Sequence, residues 1–93
     1  MTAQFQPGKI VEAVRIFHDS VMSAIKQQPG FKGELLLTDP NTGKGIAISL
    51  WETEADLKAS DEASTYYQEQ LAKFATYLTA APVREVYEVT IQE

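Results

Sequence analysis

Ile46-Ala47-Ile48-Ser49-Leu50-Trp51-Glu52-Thr53-Glu54-Ala55-Asp56 is the stretch that decides the fold. Successive strand residues point to opposite faces, so Ile46, Ile48 and Leu50 share one face and Ala47, Ser49 and Trp51 the other. Both faces carry small or apolar groups, the pattern of a central strand covered on both sides. Thr53 followed three residues later by Asp56 resembles a capping box built with the shorter acid, a cap worth about 1 kcal/mol. A helix is therefore expected to begin where the strand stops, and the only Trp of the chain marks the corner.

Working back from this corner, Asp39-Pro40-Asn41-Thr42-Gly43-Lys44 has the residues of a type I turn followed by a left-handed residue. It joins the strand Gly45 to Glu52 to a preceding strand, Phe31 to Thr38, as a hairpin. Before that, Ile10, Val14, Phe17, Val21 and Ile25 recur at spacings of three and four, with Ala13 and Ala24 beside them. This predicts an amphipathic helix from Lys9 to Gln28, ended by Pro29-Gly30. Thr2 to Gln6 alternates briefly and stops at Pro7-Gly8, which reads as a short first strand.

Working forward, a short helix follows Thr53, and Ser60-Asp61 offers a second cap. Ala63, Tyr67, Leu71, Phe74 and Leu78 then form one helical stripe lasting to Ala81-Pro82. Val83 to Gln92 alternates as a long last strand, interrupted by Glu85. The order is β-α-β-β-α-β in one domain spanning 1–93. Right-handed crossovers place both helices on one face of an antiparallel four-stranded sheet, an α+β ferredoxin-like arrangement with the first and third strands in the middle.

The last strand does not match its neighbour. Ten residues span about 33 Å at about 3.3 Å per residue, twice the reach of the first strand beside which it is expected to lie. The overhang needs a partner or remains an unpaired edge. A second copy of the chain is the simplest partner, with Val83, Val86, Tyr87, Val89 and Ile91 as interface candidates, and it would also cover the sheet face away from the helices. A domain of 93 residues gains from such extra burial, because it leaves a large share of its surface exposed.

The totals exclude several function classes. Thirteen acidic against eight basic side chains give a net charge of −5 with the cations scattered, which argues against nucleic acid as a partner. The absence of cysteine removes disulfides, thiolate metal sites and Cys nucleophiles. No apolar run approaches the roughly 20 residues that span a bilayer, and no charged-then-apolar leader opens the chain, so no membrane is expected and the cytoplasm is the expected compartment. No metal-ligand spacing or phosphate-binding glycine loop is found, and no metal or cofactor is expected.

Gln27-Gln28-Pro29-Gly30-Phe31 after the first helix, Ser49-Leu50-Trp51-Glu52-Thr53-Glu54 at the corner and Val86-Tyr87-Glu88-Val89 near the end resemble the antibiotic biosynthesis monooxygenase superfamily. The resemblance runs from about Pro7 to Val89. It implies a dimeric α+β barrel in which the C-terminal strand reaches across to the partner's sheet, and a pocket between helices and sheet. It also implies one of several activities: cofactor-independent oxygenation of polyketide-like phenols and quinols, haem degradation, or none. The haem degraders need an Asn on the first strand and a Trp and a His on the second helical region. Thr2 to Gln6 has no Asn, Trp51 lies at the earlier corner, and the region from Glu54 to Ala81 has no His, so haem degradation is disfavoured.

Trp51 is the first pocket candidate. The resemblance implies an indole that lines the pocket and bonds a substrate oxygen; its packing alone, clamping strand to helix, is the competing role. His18 is the sole histidine and the one side chain whose ordinary pKa lies near neutrality. It falls roughly 70° from the centre of its helix stripe, where it could border a pocket or mark the solvent boundary. Phe17 belongs to that stripe and Ser49 to the Trp51 face of its strand. Tyr67 and Phe74 belong to the last helix stripe, with Tyr66 on its flank, and aromatic residues at such spacing commonly serve packing. The expected function is thus a cofactor-independent monooxygenase acting on a small aromatic or quinol; the alternative is a non-enzymatic dimeric domain that binds a hydrophobic small molecule or serves a structural role.

Overall fold

The computed structural model describes residues 1–61 and 65–93. Its elements are β1 (Thr2–Gln4), α1 (Ile10–Ile16), a π-helical turn (Phe17–Val21), α2 (Met22–Ile25), β2 (Phe31–Asp39), β3 (Lys44–Trp51), α3 (Glu54–Asp61) and α4 (Thr65–Ala75). The sheet is antiparallel with the order β1-β3-β2, so β3 is central, as its two-faced apolar pattern requires. The β2–β3 hairpin closes at the expected turn. Asp39 accepts the Gly43 amide through its carbonyl at 2.8 Å and the Asn41 amide through its carboxylate at 2.9 Å. Gly43 has a φ of 77°, the left-handed conformation that glycine adopts without penalty.

Cross-strand register decides which face looks at the helices. Leu36 pairs with Ala47 and Glu34 with Ser49, whereas Leu35 pairs with Ile48 and Leu37 with Ile46. Ala47 belongs to the buried core and Trp51 packs against it, so the Gly45-Ala47-Ser49-Trp51 face is the inner one. The opposite face stays open in the single chain, with Leu35 54%, Leu37 50% and Ile48 39% exposed. Gly45 leaves room for the core: a Cβ there would lie 2.4 Å from the ring of Phe5. The core centres on Phe74, whose ring meets Phe5 at 5.9 Å and Phe17 at 5.2 Å in edge-to-face geometry.

The long first helix forms, but as a run from Ile10 to Ile25 with one wide turn inside it. The extra residue of that turn rotates the face presented to the sheet. Ala13, Phe17, Val21, Ala24 and Ile25 are buried, while Val14, expected in the stripe, is 37% exposed. At the strand-to-helix corner the Asp56 amide donates to the Thr53 hydroxyl oxygen at 3.1 Å, and that hydroxyl donates to the Asp56 carboxylate at 2.9 Å. The shorter acid thus closes the box on the cap's side chain.

Four expectations need correction. Of the expected second cap Ser60-Asp61, Ser60 lies inside α3, is buried, and donates its hydroxyl back to the Leu57 carbonyl at 2.6 Å, and the residues that Asp61 would cap lie outside the described ones. The expected stripe member Ala63 lies outside the described residues. The last helix ends at Ala75 rather than Ala81, because Thr76 and Tyr77 turn and Leu78 bridges Phe5 from an extended position. The first strand ends at Gln4, with Phe5 forming only that bridge.

The fourth correction concerns the sheet itself. The described residues form three strands, and the expected fourth over Val83 to Gln92 is reduced to one bridge between Val83 and Thr2, with backbone bonds of 2.8 and 2.9 Å. The tail therefore begins on the outer edge of β1, where a fourth strand belongs. β1 starts at Thr2, however, and an antiparallel register through Thr2 and Val83 carries the later residues past its end. Val86, Tyr87, Val89 and Ile91 are 56 to 79% exposed.

Candidate functional site

Between the inner sheet face, the helices and the beginning of the tail lies an open cavity of about 690 Å³. Ligand pockets commonly measure about 300–1,000 Å³. Strand alternation brings Ala47, Ser49 and Trp51 to its floor, and the wide helical turn brings Phe17 and Val21 to its wall. Such π-helical turns recur at functional sites because they re-aim side chains. Tyr67, Leu71 and Phe74, one turn apart along α4, supply the opposite wall. Trp51 stacks edge-to-face on Phe31 at 5.6 Å, which holds its indole at the rim of the core.

Of the residues singled out in the sequence, Trp51, Phe17, Ser49, Tyr67 and Phe74 meet around this cavity. His18 and Tyr66 do not line it. The His18 side chain is 81% exposed and its Nδ1 lies 3.0 Å from the carboxylate of neighbouring Asp19; Tyr66 is 53% exposed. Val86, Tyr87 and Val89 of the tail border the same cavity, whereas Val83 and Ile91 do not. Among the described residues no group of three or more His, Asp or Glu side chains is placed to hold a metal ion. No helix among them is long and apolar enough to cross a membrane.

Of the polar groups of the cavity, Glu34 and Arg84 were not among the pocket candidates read from the sequence. Glu34 reaches it from β2 and accepts a hydrogen bond from the Ser49 hydroxyl directly across the hairpin. Burial pushes the Glu34 carboxyl up from 4.5 to about 7, against the opposing effects of the Ser49 bond and the N-terminal ammonium. Burial also raises the Tyr67 phenol, and the nearby charge of Glu34 adds to the rise while Arg84 opposes it. Arg84 of the tail forms an ion pair with Asp61 of α3, and both line the cavity. The sequence signal for Glu34 was its two-residue spacing from Leu36, which puts a carboxylate on the inner face of a strand.

A raised acid has a definite consequence for stability. Below pH 4.5 Glu34 is neutral folded or unfolded; as the pH rises towards 7 the unfolded chain ionises first, and folding stability is lost over that window. Unscreened, the rise corresponds to about 3 kcal/mol, and partial exposure brings this to about 1–2 kcal/mol. Glu34→Gln is therefore expected to gain about 1–2 kcal/mol at pH 8 and almost nothing at pH 4. Urea denaturation at the two pH values measures it, and equal stabilities at pH 8 would show that the carboxyl carries no such penalty.

No protein-family model matches the chain, and comparison with curated proteins finds no relative. Solved structures do resemble it. A Caulobacter crescentus CB15 protein provisionally named an antibiotic biosynthesis monooxygenase superposes with a TM-score of 0.72 at 23% identity, over 88% of this chain and 77% of the other. A conserved protein of Methanosarcina mazei Go1 gives 0.71 at 15% identity, over 86% and 78%. A protein named antibiotic biosynthesis monooxygenase gives 0.68 at 14% identity, over 94% of each chain. At these identities the likeness is one of fold: the chain adopts the fold of proteins named antibiotic biosynthesis monooxygenases.

Proposed function

We propose that this protein is a cofactor-independent monooxygenase acting on a small, electron-rich aromatic such as a quinol or anthrone, and that it works as a homodimer. The observation that carries the reading is the cavity of about 690 Å³, whose apolar aromatic walls enclose a few converging polar groups beside Trp51. The names of the structural neighbours support the same class of reaction. In an anthrone-type oxidation the ring CH₂ becomes C=O, one oxygen atom of O₂ enters the product and the other leaves as water. Both electron pairs come from the substrate, so the protein's part is to bind it, orient it, and exclude bulk water around Phe17, Trp51 and Phe74. The test is oxygen uptake with a panel of hydroquinones and anthrones, without added flavin, haem or metal. Uptake with one ring carbonyl and one water formed per O₂ is expected for an anthrone, and one hydroxyquinone and one water per O₂ for a hydroquinone. Binding without uptake would replace this reading with a non-enzymatic binding domain.

The dimer rests on two surfaces that the single chain leaves uncovered. One is the outer sheet face of Leu35, Leu37 and Ile48, and the other is the tail with Val86, Tyr87, Val89 and Ile91. Apolar groups gathered on one sheet face mark an association site, and the tail has backbone groups free to extend a partner's sheet edge. Light scattering at micromolar concentration is expected to give twice the chain mass; a monomer would contradict the assembly while leaving the cavity chemistry to its own test.

A further inference from the structure

Glu34 is the carboxyl that the Ser49 hydroxyl holds inside the cavity, on the strand face that also presents Trp51. An acid at such a position disfavours folding at neutral pH and adds nothing to the core packing of Phe5, Phe17 and Phe74. Its surroundings suit recognition of a hydrogen-bond donor. The surrounding walls are largely apolar, Glu34 is half-buried, and a charge-assisted bond is roughly twice as strong as a neutral one.

We infer that Glu34, oriented by Ser49, is the specificity-determining anchor of the cavity and accepts a hydrogen bond from a ring hydroxyl of the aromatic ligand. The inference rests on the proposed aromatic-binding role of the cavity and adds the residue that selects aromatics carrying a free hydroxyl over their O-alkylated counterparts. No proton need leave the ligand for this; the phenolic O–H stays intact and points at a carboxylate oxygen, with the ring against Trp51 and Phe74. Because the anchor titrates near neutrality, the preference follows pH. Among the described residues, the other charged or titratable groups lining the same space are Tyr67 on α4, Asp61 on α3, Arg84, Glu85 and Tyr87 on the tail, and the Met1 ammonium, which donates to the Ala47 carbonyl at 2.9 Å. None of these is removed by a substitution at Glu34, so a variant there separates its contribution from theirs.

The experiment is calorimetric titration of the full chain with 1-naphthol and with 1-methoxynaphthalene, at pH 6 and pH 8, for the wild type and Glu34→Gln. With the carboxyl titrating at about 7, its ionised fraction rises from about one tenth to about nine tenths over this range. The wild type is expected to bind 1-naphthol up to about tenfold more tightly at pH 8 than at pH 6, and 1-methoxynaphthalene weakly and equally at both. Glu34→Gln is expected to flatten the pH profile and lose most of the preference for the hydroxyl. Ser49→Ala is expected to weaken naphthol binding and to move the pH profile to higher pH, because the Ser49 bond holds the Glu34 carboxyl down. Equal binding of the two ligands by the wild type, or a pH profile that survives in Glu34→Gln, overturns the inference and leaves the aromatic cavity standing. Failure of both ligands to bind overturns the aromatic cavity itself, and the inference with it.

Discussion

Phe74→Ala is expected to cost about 3–5 kcal/mol. Phe74 is 2% exposed and its ring is the common neighbour of Phe5 and Phe17, so its removal breaks two edge-to-face contacts and opens a void where α4 meets both sheet and helix. The void cannot collapse easily. It opens beside the cavity that Phe74 already lines, and Phe5 is held against Gly45 on its other side. A domain of this size has a total stability of about 5–15 kcal/mol, so the variant is expected to be folded only marginally. Urea denaturation monitored by circular dichroism measures the loss; a cost below about 1 kcal/mol would mean that the three rings are not the centre of the core.

Gly30→Ala is expected to cost about 2–3 kcal/mol, for two reasons that can be separated. Gly30 has a φ of 78°, where a side chain costs about 1–2 kcal/mol. In addition, an added Cβ would lie 2.1 Å from the Asp56 carboxylate and 2.7 Å from the Asp56 Cβ. Asp56 would have to leave the Thr53 hydroxyl, and the α3 cap is worth about 1 kcal/mol. Gly8 supplies the control, with a φ of 76° and nothing within 4 Å of its would-be Cβ. Gly8→Ala is expected to show the conformational cost alone. If the two variants lose equal stability, the Asp56 contact has no weight.

The Gly30 position also shows why the corner could be read so early. The Glu52 amide donates to the Gly30 carbonyl at 2.8 Å, so the loop after the first helix, the end of β3 and the start of α3 are tied at one point by local chemistry. Turn glycine, cap threonine and strand alternation each act within a few residues, and all three were visible in the chain. The hairpin turn at Asp39 and Gly43, the central place of β3 and the two-layer α+β arrangement were legible for the same reason.

The site was legible only in part. Trp51, Phe17, Ser49, Tyr67 and Phe74 meet because strand and helix periods put them on inner faces, which a sequence displays. His18 stood out as the sole histidine, a chemical reason that carries no information about direction, and it faces solvent. Glu34 passed unnoticed because a lone carboxylate in a strand usually faces water. Only the pairing with Ser49 and the cavity that Glu34 shares with α4 show that this one is partly withdrawn from it.

By itself the sequence determined the order and type of the elements up to the last helix, the hairpin and the capped corner at Trp51, because propensity, periodicity and turn chemistry act over short separations. Tertiary structure alone decided four things: that the Ala47-Ser49-Trp51 face turns inward, that the wide turn at Phe17–Val21 exchanges Val14 for Ala13, that the tail stops pairing after Val83, and that Glu34 becomes a half-buried acid. Each depends on what lies opposite a residue across the fold: register, packing and desolvation are relations between segments far apart in the chain.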